Sequence, residues 1–291
     1  MTIFELYEDF LRSRQLLGCS SRTIEDYTYF LNRFIKWCGG QYDVENLTLK
    51  LFDDYTLYLL NSDIKRVTVR TYLTHLRAFY RWSVDEDYID VDVSKLRLPK
   101  KHTDVIDTLS DTEISRLLDC FAPLSASFCS DRNRLIIMCM LDCGFRRSDV
   151  LNLRVSDVSD NHFVLNGKGN KRRIVPFGSQ LRVMLYDYMM MYRPSGYLFT
   201  TEDGRQLTKW VINNLFRKLR KKSGIARLHP HLLRHTFATN YLYSGGNLEM
   251  LRLILGHTDL KTTQIYLHLA DTKRLLSQQH LSYFDMMGGV S

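Results

Sequence analysis

The sequence predicts a mainly α protein with a small antiparallel β element, divided into two domains. Apolar residues recur at helical spacing through most of the 291 residues, and one short stretch has a strand–turn–strand pattern. Periodicity is lost between Val91 and Leu109, where Pro99 and a basic cluster are typical of a linker. We therefore expect domains at 1–95 and 109–291, joined by a linker at 96–108.

The first domain is predicted to be a four-helix bundle. One apolar stripe follows a candidate N-cap at Ser20 or Ser21, and another follows Thr48. No strand-like alternation competes with this pattern, so every element of residues 1–95 is expected to be helical.

A further stripe in this domain, from Val69 to Tyr80, is apolar on one face and basic on the other. Such a helix could lie along DNA phosphates, or its basic face could simply be solvated. The candidate DNA-binding residues are Lys65, Arg66, Arg70, Arg77 and Arg81.

The second domain is predicted to begin with a capping box, in which Ser110 and Glu113 satisfy the first amides of a helix. A hairpin is predicted where two strand-like runs, 162–166 and 171–177, flank the turn residues Gly167–Asn170. One more strand is suggested at 197–199. Further helices are expected at 208–222, 231–243, 248–255, 259–269 and 271–284.

Composition is that of a globular protein, with 45% hydrophobic and 25% charged residues. The N-terminus lacks a signal-peptide pattern, and no apolar run approaches the length of a membrane span. The six cysteines have no regular spacing, which argues against a disulfide or zinc framework. We expect a cytoplasmic protein with no membrane partner.

The net charge of +8 is unevenly distributed. Residues 1–100 hold 14 Lys and Arg against 15 Asp and Glu, whereas residues 101–291 hold 26 against 17. The excess in the second domain indicates either a bound polyanion or a solvated basic surface.

Four segments of the second domain hold residues suited to phosphate chemistry. Arg146 follows Gly144 at a helix junction, and Lys168 lies between two glycines of the hairpin. His231 and Arg234 are three residues apart, and therefore on one helix face. His257 precedes Tyr266 by nine residues. Each segment is weak evidence alone, because such motifs are common and the chain has 17 tyrosines.

Together these segments resemble the tyrosine recombinase, or phage integrase, family. HPHLLRHTFAT at 229–239 and LGHTDLKTTQIY at 255–266 are similar to the family's two most characteristic boxes, and LNGKGNKRRIVPFG at 165–178 to its lysine-bearing hairpin. The resemblance implies a helical core-binding (SAM-like) domain at 1–95 and a catalytic domain at 109–291 with a C-terminal tail.

The first arginine box departs from the family pattern. It reads Cys-Gly-Phe-Arg-Arg-Ser-Asp at 143–149, where the family usually has Thr-Gly-Leu-Arg-x-Ser-Glu. The arginine pair leaves a register question, and the glycine spacing favours Arg146. The shorter Asp149 is expected to orient a catalytic neighbour, or else to be a helix N-terminal carboxylate stabilised by the helix dipole.

The resemblance implies a phosphoryl transfer that needs no cofactor and no metal. Arg146 and Arg234 would clamp the non-bridging oxygens, because guanidinium is planar, always charged and bidentate. Tyr266 would be the nucleophile that forms a 3′-phosphotyrosyl bond. This bond conserves the energy of the broken one, so that religation needs no ATP.

Roles for the remaining candidates follow from the same resemblance. His231 is the best candidate for the base that ionises Tyr266 or for a phosphate donor, and His257 should donate to the phosphate from the other side. Lys168 is the expected general acid for the departing 5′-oxygen. A zinc site at His229, His231 and His235 is disfavoured, since the glutamate of a zinc-protease motif is missing.

The expected partner is duplex DNA with inverted-repeat core sites, bound by a homotetramer that exchanges strands through a Holliday junction. The tail from Asp271 to Ser291 would dock on a neighbouring subunit, or pack in cis. We expect no arm-binding domain, and the chain resembles compact Xer-type or small mobile-element recombinases. Two alternatives are a type IB topoisomerase, which would relax single duplexes, and a non-catalytic DNA-binding relative.

Overall fold

The structure, a computed structural model, describes residues 1–39, 42–100, 106–121, 127–166 and 172–277. The chain divides into two compact units, Met1–Asp104 and Val105–Ser291, each with its own buried core. The predicted fold class is confirmed, because both units are mainly helical and the described residues contain one two-stranded antiparallel sheet. Residues 101–105 of the predicted linker lie outside the described ranges, so the predicted domain limits stay a prediction.

No helix in the described ranges is both long enough and apolar enough to cross a membrane.

In the described part of the first unit, three of the four α-helices begin after a residue whose side chain caps them. Its helices are α1 (Ile3–Leu16), α2 (Ser21–Cys38), α3 (Leu49–Leu60) and α4 (Arg66–Asp85). Ser20 Oγ accepts a hydrogen bond from the Thr23 amide at 3.2 Å, so Ser20 is the cap of α2. Edge-to-face aromatic contacts fill the core between these helices, for example Phe10 with Phe79 at 5.4 Å between ring centroids.

The second unit is built around a helix that carries two of the predicted catalytic residues. Its helices are α5 (Asp111–Leu118), α6 (Phe128–Cys143), α7 (Arg147–Asn152), α8 (Ser179–Tyr192), α9 (Lys209–Ser223), α10 (Pro230–Tyr243), α11 (Leu248–Leu255) and α12 (Lys261–Ser277). Helix α10 is largely buried and packs against α6, α11 and α12. The predicted capping box at α5 is confirmed, with Ser110 Oγ accepting from the Glu113 amide at 3.2 Å.

The predicted hairpin is confirmed in its strands. β1 (His162–Asn166) pairs antiparallel with β2 (Arg172–Pro176), with Asn166 opposite Arg172 next to the turn. The strand predicted at 197–199 is wrong: Tyr197 makes one isolated bridge, to Arg154, because the 3-10 helix that follows Arg154 ends the pairing.

Two helices predicted at 259–269 and 271–284 are a single helix over their described part. Helix α12 runs without a break through Ala270, which is fully buried. No glycine or proline interrupts residues 261–277, so nothing ends the helix at 270.

Candidate active site

Arg146 follows a tight turn that only glycine can make. Gly144 ends α6 with φ +63°, and a Cβ placed on it would lie 2.4 Å from a ring carbon of Phe237 on α10. Phe145 is fully buried and anchors the turn. The half-buried Arg146 side chain is therefore fixed at the start of α7.

Arg234 lies at the centre of the second unit and is only 3% exposed. Its Nη1 donates to the carbonyl of Gly144 at 2.8 Å, and its Nη2 donates to the carbonyl of Leu255, also at 2.8 Å. The same Nη2 lies 3.0 Å from Nε2 of His257. One buried guanidinium thus ties the end of α6 to the end of α11 and to the turn that carries His257.

His257 is held by hydrogen bonds at both ring nitrogens. Its Nδ1 lies 2.9 Å from the hydroxyl of Thr263 on α12. Because arginine can only donate, Nε2 must accept from Arg234, and Nδ1 is then the protonated nitrogen. In this arrangement His257 Nε2 faces Arg234, so it would have to give up that bond and gain a proton before donating to a phosphate as predicted.

Tyr266 lies on α12 and is 2% exposed. Its hydroxyl is 2.9 Å from Nδ1 of His235, which is on α10 directly after Arg234. Burial raises the pKa of Tyr266, while the positive charges of Arg234 and Arg146 oppose that rise. The predicted nucleophile therefore lies within the field of both predicted phosphate-binding arginines.

The charge of this cluster favours an anion. Burial lowers the pKa of Arg146 and of Arg234; the charge of Arg173 adds to this effect at Arg146, and the charge of Arg146 adds to it at Arg234. Burial and the same two arginines also lower the pKa of His257, to about 4. Groups whose protonated forms are destabilised in this way would be stabilised by a phosphate placed among them.

The two adjacent arginines of the first arginine box, Arg146 and Arg147, make different contacts. Arg147 points to α9 and donates from Nη1 to Asn213 Oδ1 at 3.0 Å. Arg146 instead approaches the carbonyl of Gly256, with its Nη2 at 3.4 Å. The geometry favours Arg146 as the phosphate ligand.

His231 lies on the exposed side of α10, one turn before His235, with the two ring centroids 6.3 Å apart. Partial removal of its ring from water and the charge of Arg234 lower its pKa. An exposed imidazole beside the two arginines is suited to contact a phosphate. The tyrosine hydroxyl, however, is in contact with His235.

Asp149 and Arg173 form a buried ion pair behind Arg146. Arg173 Nη2 lies 2.6 Å from Asp149 Oδ2, which also accepts the backbone amide of Arg146 at 2.7 Å. Arg173 Nε donates to the carbonyl of Ile254 at 3.1 Å. Asp149 thus caps α7, as a helix N-terminal carboxylate does, and at the same time joins the turn of Arg146 to β2.

Asp149→Asn should strongly destabilise the second unit. The amide could still accept from Arg146, but Arg173 would be left buried without a countercharge, and breaking a buried pair costs about 3–5 kcal/mol. The matched control is Asp157→Asn, because Asp157 accepts the Arg154 amide in the same way at 2.9 Å without a buried ion pair. Its cost should be about 1 kcal/mol or less.

Urea unfolding of the full chain measures both variants. Equal losses of unfolding free energy in Asp149→Asn and Asp157→Asn would show that the ion pair with Arg173 contributes nothing beyond the cap.

The remaining predicted site residues lie either outside the described ranges or in the first unit. Lys168 falls in 167–171, outside the described residues, although the flanking strands are described. In the first unit, Lys65, Arg66 and Arg81 are exposed at α4, whereas Arg70 and Arg77 are half-buried. Arg70 Nη1 also donates to the carbonyl of Pro99.

Sequence reasoning missed three residues of the cluster: Arg173, His235 and Thr263. A signal for Arg173 was present, since it is a charged residue at an inward-facing position of an alternating strand. His235 is considered in the sequence only as part of a disfavoured zinc site, and nothing local to it indicates Tyr266 as its partner. Within the described ranges, no group of three or more His, Cys, Asp and Glu is placed to hold a metal ion.

The fold and this cluster define a catalytic domain of the DNA recombinase type, and comparisons with known proteins agree. A model described as "Phage integrase family" matches residues 107–273, and one described as "Phage integrase, N-terminal SAM-like domain" matches residues 6–90. The chain belongs to the phage integrase family.

Similar curated proteins span nearly the whole chain. The tyrosine recombinase XerD of Pseudomonas putida is 31% identical over 91% of this chain and 92% of its own length. The tyrosine recombinase XerC of Bacillus pumilus is 30% identical over 91% and 90%.

Solved structures show the same architecture. The crystal structure of XerA recombinase matches with a TM-score of 0.52 and 26% identity over 95% of this chain and 99% of that one. A lambda integrase dimer bound to a core site matches with a TM-score of 0.74 and 17% identity over 90% and 97%. At 17% identity the second likeness concerns the fold.

Proposed function

We propose that this protein is a site-specific tyrosine recombinase that cuts and rejoins duplex DNA through a 3′-phosphotyrosyl bond at Tyr266. One observation carries the proposal: the buried Tyr266 lies in the field of Arg146 and Arg234, and among the described residues neither guanidinium forms an ion pair with a balancing anion, since the nearby Asp149 is paired with Arg173. A scissile phosphate would supply that anion and place its phosphorus near the tyrosine hydroxyl.

The proposed reaction uses the chain's own groups. Arg146 and Arg234 bind the non-bridging oxygens and stabilise the charge of the pentacovalent transition state, where each preorganised donor can be worth about 3–4 kcal/mol. Tyr266 Oη bonds to phosphorus as the bond to the 5′-oxygen breaks. Lys168 is proposed to protonate that leaving oxygen. Religation reverses these steps.

Arg234 is well placed for this role because its guanidinium group is already held in one orientation. Two carbonyls hold the guanidinium on one side, and Asp149 is occupied by Arg173 and the Arg146 amide. Nearby protein groups therefore do little to neutralise the guanidinium, and its remaining donors can turn to an anion without reorganisation of the fold.

The proposed partner is duplex DNA with inverted-repeat core sites. Two structural neighbours support it by their descriptions: XerH bound to a palindromic difH substrate, and lambda integrase bound as a dimer to a core site. We extend the proposal to a homotetramer on DNA in the cytoplasm, with strand exchange through a Holliday junction. The tail from Asp271, of which 278–291 lie outside the described residues, would dock on a neighbouring subunit.

A two-site assay tests the proposed function against its nearest alternative. Full-length protein would be incubated with a supercoiled plasmid that carries two copies of the DNA flanking its own gene. A recombinase produces recombinant joints at defined positions, whereas a type IB topoisomerase relaxes the plasmid and leaves the sequence unchanged. Relaxation without joints would refute the recombinase proposal, and binding without either would support a non-catalytic relative.

DNA affinity should fall steeply with salt, because phosphate contacts release counterions. If Arg70, Arg77 and Arg81 all contact phosphate, their joint replacement by alanine should flatten the log–log slope by up to about 3 units. The control is Arg22→Ala, since Arg22 is already paired with Asp26 at 2.9 Å and Glu25 at 3.4 Å. An unchanged slope in the triple variant would leave α4 with a merely solvated basic face.

A further inference from the structure

The hydroxyl of the proposed nucleophile is in contact with a histidine outside the predicted catalytic set. Tyr266 Oη lies 2.9 Å from His235 Nδ1, within normal hydrogen-bond distance. The two rings are tilted by 43° with centroids 5.6 Å apart. His231, the predicted base, lies a helical turn away from His235 on the exposed side of α10.

Burial restricts where the tyrosine proton can go. Tyr266 is 2% exposed, so bulk water has little access to its hydroxyl. A buried phenol that attacks phosphorus must pass its proton to a group that it already touches. Arg146 and Arg234 cannot accept a proton, because guanidinium carries only donors.

We propose that His235 takes up the phenolic proton of Tyr266 through Nδ1 as the tyrosine attacks DNA. The proposal rests on the proposed function of Tyr266. In the step, Oη bonds to phosphorus, the O–H proton passes to Nδ1, and the 5′-oxygen leaves with a proton from the general acid. During religation the imidazolium returns the proton to Oη.

The surroundings of the pair explain why the proton would move only during the reaction. At rest, burial and then the charges of His231, His229 and Arg234 lower the pKa of His235 to about 4, and burial raises that of Tyr266. The resting pair is thus a neutral phenol and a neutral imidazole, and in the proposed tautomer the phenol donates to Nδ1. An incoming phosphate offsets the positive charges that depress the imidazole pKa, and bond formation to phosphorus makes the phenolic proton far more acidic.

The position of His235 in the chain suits this role. It follows Arg234 directly on the buried helix α10, so the phosphate ligand and the proton acceptor move as one rigid unit. Tyr266 shares α12 with Thr263, whose hydroxyl contacts His257. Packing of α12 on α10 therefore fixes the Tyr266–His235 contact together with the contacts of the phosphate site.

Nitrogen-15 NMR of the full chain tests the proposal without any substitution. The proposal requires an unprotonated Nδ1 and a protonated Nε2 on His235 at neutral pH. This tautomer gives Nδ1 the chemical shift of an imidazole acceptor. A protonated Nδ1 would overturn the proposal, because that nitrogen would then donate to Tyr266 and could not receive its proton.

Cleavage kinetics provide the second test. His235→Asn retains an acceptor near Nδ1 but does not titrate, so single-turnover cleavage of a nicked substrate should fall about 10²–10⁴-fold, the usual range for a general base. DNA affinity should be unchanged. The control is His268→Asn on the exposed side of α12, which should cleave at the unaltered rate.

A fluorinated tyrosine at position 266 separates proton transfer from positioning. Difluorotyrosine has a more acidic phenol and needs less help from a base. In the His235→Asn background it should restore cleavage by about tenfold or more, with little gain when His235 is present. Full cleavage by His235→Asn, or a loss that difluorotyrosine does not restore, would each overturn the proposal.

The unaltered protein distinguishes this proposal from the proposed function. If it forms no covalent adduct at Tyr266, the proposed function itself fails, whatever the histidine variants do. If the adduct forms and His235→Asn cleaves normally, only the role of His235 fails.

Discussion

Tyr266→Phe is expected to bind target DNA with unchanged affinity and to form no covalent complex on a nicked suicide substrate. The phenyl ring keeps the packing of α12 on α10, since only the hydroxyl is lost. That hydroxyl is the proposed attacking atom, so the loss of cleavage should be complete. Losing its hydrogen bond to His235 should cost about 1 kcal/mol of unfolding free energy.

Tyr241→Phe is the matched control for this variant. Tyr241 is a half-buried tyrosine on α10, the helix against which Tyr266 packs. The control should trap DNA as the unaltered protein does. Covalent trapping by Tyr266→Phe would show that another tyrosine is the nucleophile.

Arg234→Ala is expected to lower cleavage by at least about 10²–10³-fold, the usual effect of removing one preorganised donor. The loss should be the same on normal DNA and on DNA with sulfur at the bridging 5′ position, because the non-bridging charge that Arg234 clamps is present in both. Arg234→Lys should restore little cleavage, since an ammonium keeps the charge but loses the planar pair of donors that binds two oxygens at once.

Lys168→Ala provides the contrast. A general acid contributes about 10²–10⁴-fold on normal DNA, and a sulfur leaving group needs little protonation. The variant should therefore cut the sulfur substrate almost as fast as the unaltered protein. Rescue of Arg234→Ala by sulfur, without rescue of Lys168→Ala, would reverse the proposed roles.

Arg234 also holds two buried carbonyls, so Arg234→Ala needs a check on folding. Gly144 and Leu255 would each lose a donor, at about 1–3 kcal/mol for each carbonyl left unsatisfied. Arg146→Ala is the companion variant, because Arg146 is less buried and makes weaker contacts with the fold. If Arg146→Ala and Arg234→Ala each lose the same factor of cleavage on normal DNA and on the sulfur substrate, the loss of cleavage is assigned to phosphate binding.

Features set by local chemistry could be predicted from the sequence. The helix starts at Ser20, Thr48 and Ser110 follow from hydroxyls that cap exposed amides, and the hairpin follows from alternating residues around glycines. The grouping of Arg146, Arg234, His257 and Tyr266 followed from the family resemblance, and their proximity is seen in the second unit.

Contacts between distant segments could not be predicted in this way. Arg173 reaches Asp149, 24 residues earlier, only because β2 packs beside the turn of Arg146. His235 meets Tyr266, 31 residues later, only because α12 packs against α10. The continuation of α12 through residue 270, by contrast, agrees with the local sequence, because residues 261–277 contain no glycine or proline.

Mass spectrometry of the trapped complex tests the central claim most directly. The protein would react with a nicked substrate, so that the short fragment with the 5′-hydroxyl diffuses away and the covalent complex is trapped. A protease and a nuclease would then digest the protein and the DNA of this complex. We predict one modified peptide, within α12, that carries a 3′-linked nucleotide on Tyr266. A nucleotide attached to any other residue, or linked through its 5′-phosphate, would contradict the proposed function.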